Sequence, residues 1–156
     1  GTDTDDANDS AVAVDAQAKA EAAAGNSDRK RVLIVDDDVA FLELAERLLS
    51  KEGYNAIATN APRGVLQLAR SMRPDLVLLD VLMPDFDGWS VLSQLKNDPT
   101  TASIPVVILS VVDEKKHAIE AGAHAVVAKP IDRAALLRAV RASCEAKSNV
   151  EQRRVA

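Results

Sequence analysis

Short apolar runs punctuate this chain at Val32–Val35, Leu76–Leu79, Val106–Leu109 and Ala125–Ala128, with a weaker one of mixed polarity at Tyr54–Thr59. The four strong runs do not alternate with polar residues. A strand with one wet face alternates, whereas a strand covered on both faces does not. Between the runs, apolar residues recur at helical spacing. Leu42, Ala45, Leu48 and Leu49 share a face, as do Val65, Leu68, Ala69 and Met72. Val91, Leu92 and Leu95 mark a third helix, and Leu136, Leu137, Val140 and Cys144 a last one. The weakest helical period lies between Asp113 and Ala121. Turn signals fall at Gly53, Arg73-Pro74, Asp87-Gly88 and Gly122. Strands alternating with helices predict an α/β fold on a five-stranded parallel sheet, with Tyr54–Thr59 at an edge. Right-handed crossovers limit how it can be wound.

The length of 156 residues suits one domain. Acidity is uneven. Residues 1–28 hold seven acids and one base, net −6 against −5 for the whole chain, which leaves +1 for the rest. No dense basic face is present, so direct nucleic-acid binding is not expected. No apolar run approaches membrane-spanning length and no secretory signal is visible, so no membrane contact is expected from this segment. The single Cys144 fits a reducing, cytoplasmic compartment. Residues 1–28, rich in Asp, Ala and Ser, read as a linker; the rival is the end of a helix entering from an upstream domain. A first residue of Gly rather than Met suggests a piece of something longer. The expected divisions are a linker at 1–28, a folded domain at 29–148 and a tail at 149–156.

The polar residues at the strand ends carry the chemistry. Asp36 and Asp37 come directly after the first run, Asp80 after the third, Ser110 after the fourth and Lys129 after the fifth. A parallel sheet brings these ends to one edge, where its ligand site lies. Converging carboxylates raise one another's pKa, and a hard cation removes the conflict. Oxygen-only donors with room for water and phosphate oxygens favour Mg2+. A carboxylate beside that cation can attack phosphorus and form an acyl phosphate. Lys129 would offset charge on the phosphoryl oxygens, and the Ser110 hydroxyl would donate to one of them.

Other polar residues have plainer roles. Asp38 is expected to cap a helix, and Asp87-Gly88 to launch the next. Trp89 is expected to pack rather than stack on a ligand. His117 and His124 have no metal-ligand spacing, and Lys115 and Lys116 read as a solvated helix face.

The motifs IVDDD, LLDVLMPDFDG, VVILS and AVVAKP, in this order, resemble the receiver domain of two-component response regulators over about residues 30–147. The resemblance implies a flavodoxin-like (βα)5 three-layer sandwich of strand order 2-1-3-4-5. It implies Asp80 as phosphoacceptor, taking its phosphoryl group from a histidine kinase or histidine phosphotransfer domain. Asp37 would be a direct Mg2+ ligand, Asp36 would act mainly through water, and the Leu82 backbone carbonyl would be a further ligand. Ser110 and Lys129 would be the switch hydroxyl and the phosphate-binding lysine, and the Lys129-Pro130 bond would be cis. SVVDEKKHAIEAGA followed by KPIDRAALL is similar to receivers attached to hybrid sensor histidine kinases, with a free-standing regulator as the rival. The oligomeric state is left open.

Two departures stand out. Val126 occupies the place of the usual aromatic switch, and Ile131 a place where Phe is common. Phosphorylation is therefore expected to change the Ser110–Glu120 surface less than in aromatic-bearing relatives. In the family that the chain resembles, the residues two beyond Asp80 and Ser110 flank the path of the hydrolytic water; here they are Leu82 and Val112, which cannot hydrogen-bond it, so self-dephosphorylation is expected to be slow. The alternative function is a haloacid-dehalogenase-like phosphatase with Asp36 as nucleophile. It leaves Asp80 without a role, and the folded length is short for that fold with a substrate cap.

Overall fold

A computed structural model describes residues 29–155, with side chains through Glu145. The proposed linker at 1–28 lies outside the described residues. In chain order the elements are β1 (Arg31–Val35), α1 (Val39–Lys51), β2 (Asn55–Thr59), a 3-10 turn (Pro62–Gly64), α2 (Val65–Met72) and β3 (Leu76–Asp80). A small hairpin comes next, with arms Leu82–Met83 and Phe86–Asp87. Then come α3 (Gly88–Asn97), β4 (Val106–Ser110), α4 (Lys115–Glu120), β5 (Ala125–Ala128) and α5 (Arg133–Val155).

All pairs in the main sheet are parallel, in the order β2-β1-β3-β4-β5. This is the expected flavodoxin-like winding. The absence of alternation now has its explanation, because successive residues of one strand feed two cores. Leu33, Val35, Val77, Leu79 and Ile108 face α2, α3 and α4, where Leu68, Met72, Leu92 and Leu95 meet them. Val32, Ile34, Leu76, Leu78 and Leu109 face α1 and α5, where Leu42, Leu49, Leu136 and Val140 close the layer. Each fully buried leucine contributes about 1.5–3 kcal/mol through burial.

Two helices, α1 and α3, start with a side-chain cap. The Asp38 carboxylate accepts from the N–H groups of Ala40 and Phe41, and the Asp87 carboxylate from that of Trp89. Gly53 and Gly122 take positive φ values of 91° and 103° where a helix gives way to a strand. The backbone of α5 stays helical through Val155. Residues 145–155 contain neither Gly nor Pro, so nothing in the sequence stops the helix.

Candidate functional site at the strand ends

The order reverses between β1 and β3, and the crevice there is where sheets of this kind hold ligands. Register places the acids. Val35 pairs with Leu79, so the next residues along, Asp36 and Asp80, emerge side by side. Asp37 comes next, on the loop to α1. One carboxylate oxygen from each of Asp36, Asp37 and Asp80 lies within 4.8 Å of the others. Asp36 and Asp80 are buried, while Asp37 is exposed.

The other side of the site comes from β4 and β5. Ser110 pairs with Ala128, which puts Lys129 just past the sheet edge. The Lys129 N–H donates to the Ser110 carbonyl at 2.8 Å. The ammonium reaches back across the sheet to Asp36 Oδ2 at 2.8 Å and Asp80 Oδ2 at 3.6 Å. The Lys129-Pro130 peptide is cis, as the resemblance implied.

The ion pair acts differently on its two members. Burial pushes the Asp36 carboxyl up to about 6, outweighing the Lys129 hydrogen bond, the Asp38 N–H and the Lys129 charge; the neighbouring Asp80 charge adds to the rise. Burial also works against the Lys129 ammonium, but its bond to Asp36 and the two nearby carboxylates more than offset this and raise its pKa. The asymmetry follows from solvation: the lysine side chain keeps 20% of its surface in water and the aspartate none. A metal-free site of this kind holds an under-compensated buried carboxylate.

Two backbone features fix the approach to Asp80. The Leu82 N–H donates to Asp80 Oδ1 at 3.1 Å. Gly88, at the start of α3, packs so tightly under this turn that a Cβ there would lie 2.4 Å from Val81 Cα and 2.7 Å from the Asp80 carbonyl oxygen. The sequence marked Gly88 only as turn chemistry, and the absence of a side chain beside Asp87 was the one available signal. The Ser110 hydroxyl donates to the Val112 carbonyl at 3.0 Å, and the Val112 N–H donates to Ser110 Oγ at 3.2 Å.

The remaining candidates fall elsewhere. Trp89 is half-buried against the α2–α4 core and meets the exposed His117 edge-on, with ring centroids 4.4 Å apart. His124, Lys115 and Lys116 are exposed. Val126 packs aliphatically against the α2–α4 core and Ile131 against the α1–α5 core. The Phe41 ring centroid lies 5.4 Å from the Lys129 ammonium.

Similarity to known proteins agrees with this arrangement. The family model described as response regulator receiver domain matches residues 32–141. The response regulator PleD of Caulobacter vibrioides is 38% identical over 128 residues, covering 80% of this chain and 28% of PleD. The chain therefore spans less than a third of that relative. Protein PilH of Pseudomonas aeruginosa is 35% identical over 116 residues, covering 72% of this chain and 95% of PilH. Among solved structures, the signal receiver domain of an HD domain-containing protein from Pseudomonas fluorescens aligns with a TM-score of 0.72 and 27% identity, covering 83% of this chain and 97% of that one. The signal receiver domain of a histidine kinase from Syntrophus aciditrophicus aligns at 0.68 with 28% identity, covering 75% and 91%. These matches do not favour the phosphatase alternative. Asp80 stands in the acidic cluster with Asp36, a placement that alternative did not require. The chain belongs to the response regulator receiver domain family.

Proposed function

We propose that this domain receives a phosphoryl group on Asp80 from the phosphohistidine of a histidine kinase or a histidine phosphotransfer domain. The observation that carries this reading is the convergence of Asp36, Asp37 and Asp80 within 4.8 Å beside the Lys129 ammonium. In the transfer, an Asp80 oxygen forms the new P–O bond as the P–N bond to the donor histidine breaks. The imidazole leaves with the electron pair and takes a proton from solvent. Lys129 offsets charge on the phosphoryl oxygens, and the Ser110 hydroxyl turns from the Val112 carbonyl to donate to one of them.

The site suits Mg2+, which receiver domains generally bind at such an acidic pocket. Its donors are hard oxygens, and the buried Asp36 carboxylate lacks full charge compensation. Asp36, Asp37, Asp80 and the Leu82 carbonyl would hold the ion. When bound it supplies the positive charge that lets the carboxylates and a phosphoryl group share one small volume.

We further propose that the domain, residues 29–148, is the C-terminal receiver of a hybrid histidine kinase, with residues 1–28 as its tether and 149–156 as its tail, in the cytoplasm. The similarity to a receiver of a histidine kinase supports this. Among the described residues no helix is long and apolar enough to cross a membrane.

The test is covalent labelling with acetyl phosphate and Mg2+. Wild-type protein and Asp36→Asn are compared with Asp80→Asn. Loss of the label only in Asp80→Asn supports the reading. Label persisting in Asp80→Asn and absent in Asp36→Asn would overturn it in favour of a phosphatase-type nucleophile.

A further inference from the structure

We propose that Phe41 is a positioning residue for the Lys129 ammonium, a role that rests on the phosphoacceptor reading above. The Lys129 Nζ sits 5.4 Å from the centroid of the Phe41 ring, within range of attraction to its negative face. Phe41 is held from two sides. Its N–H donates to Asp38 Oδ1 at 3.3 Å, which ties it to the first turn of α1, and its ring packs against the α1–α5 core. Both residues line one groove of about 390 Å³ between α1 and the turn that joins β5 to α5.

The ammonium has two kinds of partner. Asp36 and Asp80 are anionic, and both are candidate metal donors. Once a cation engages Asp36, that carboxylate has less charge to give the lysine, and Asp80 changes character when it carries phosphorus. The ring face is no ligand for a hard cation and does not titrate. Among these three partners it is the one that binding and transfer leave intact. A lysine has a flexible four-carbon stem and a strongly hydrated head. Without the ring, the head would spread over more positions on the exposed side of the groove, and fewer of them would face Asp80.

The experiment measures the rate of Asp80 labelling by acetyl phosphate at saturating Mg2+, in wild type, Phe41→Leu, Phe41→Tyr, Lys129→Ala and the Phe41→Leu/Lys129→Ala double variant. Leu keeps the apolar packing and removes the ring face; Tyr keeps the face. The expected result is a loss of about threefold to tenfold in Phe41→Leu, the scale of a cation–ring contact, and recovery to within about twofold in Phe41→Tyr. Phe41→Leu should add no further loss when Lys129 is Ala. The Lys129 ε-methylene protons, followed by NMR in the metal-free protein, should carry a ring-current shift that Phe41→Leu abolishes. An unchanged rate and an unchanged ε-methylene shift in Phe41→Leu would overturn the proposal. So would an equal loss with and without Lys129, which would mark a merely structural effect. Failure of wild type to take any label on Asp80 would instead overturn the phosphoacceptor reading, and the positioning role with it.

Discussion

The Lys129 ammonium lies 2.8 Å from the fully buried Asp36 carboxylate, nearer than to Asp80. A lysine committed to Asp36 still leaves that acid with a pKa raised to about 6, chiefly by burial. A carboxyl with a raised folded-state pKa stabilises most below its unfolded value of 3.8, and that contribution is lost as pH rises through about 6. Metal-free domain should therefore lose stability between about pH 4 and 6. Asp36→Asn should flatten this fall, raise the metal-free Tm at pH 7 and shrink the Tm gain on adding Mg2+. Thermal unfolding across pH, with and without Mg2+, checks all three; a wild-type stability that climbs steadily from pH 4 to 7 without metal contradicts them.

A second carboxylate should respond with the opposite sign. The Thr100 hydroxyl, the Arg70 guanidinium and the Thr100 N–H all donate to Asp98 and hold its carboxyl down to about 2. This contact ties α2 to the loop after α3. Its contribution is present above the unfolded value of 3.8 and disappears as pH falls through about 2. Asp98→Asn should lower stability at pH 7 and make acid unfolding between pH 4 and 2 shallower, as followed by circular dichroism.

Gly88 should tolerate no side chain. A Cβ 2.4 Å from Val81 Cα meets backbone that cannot rotate away. Gly88→Ala should cost about 1–3 kcal/mol by overpacking despite the better helix propensity of Ala. Urea unfolding reads the cost. Because the displaced backbone belongs to Asp80 and Val81, the rate of Asp80 labelling should fall as well.

Ser143 should be dispensable. Its hydroxyl is buried in α5 without a hydrogen-bond partner among the described residues. Ser143→Ala removes an unsatisfied polar group and improves helix propensity, so it should be neutral or stabilising by up to about 1 kcal/mol. Loss of stability in urea unfolding would show that the hydroxyl has a role in the fold.

Phosphorylated Asp80 should persist. The Leu82 and Val112 side chains are 52% and 47% exposed, and neither can hydrogen-bond an attacking water. Leu82→Asn should speed release of inorganic phosphate several-fold relative to wild type. Release within seconds in the wild-type domain would contradict the expectation.

Much of the site was legible because two regularities combine. Continuous apolar runs marked parallel strands covered on both faces, and such strands end at one edge; Asp36, Asp80, Ser110 and Lys129 needed nothing more to be placed together. The resemblance then supplied strand order and the cis Lys129-Pro130 bond. What stayed hidden depends on how helices settle. The Phe41 ring reaches Lys129 only through the angle at which α1 lies, and Arg70 reaches Asp98 only because α2 and α3 are neighbours. The hairpin of Leu82–Met83 and Phe86–Asp87 has arms of two residues each, too short for any periodicity. The end of α5 has no signal in the sequence, because a helix that nothing interrupts has no boundary to read.

Asp36 and Lys129 stand 93 positions apart along the chain. Closing so long a loop is an entropic cost that only the assembled sheet repays. A nascent polypeptide whose synthesis has stopped before β5 holds both acids of the adjacent strands but lacks the Lys129 ammonium. The site proposed above for phosphoryl capture is therefore complete only once β5 and Lys129 have been made.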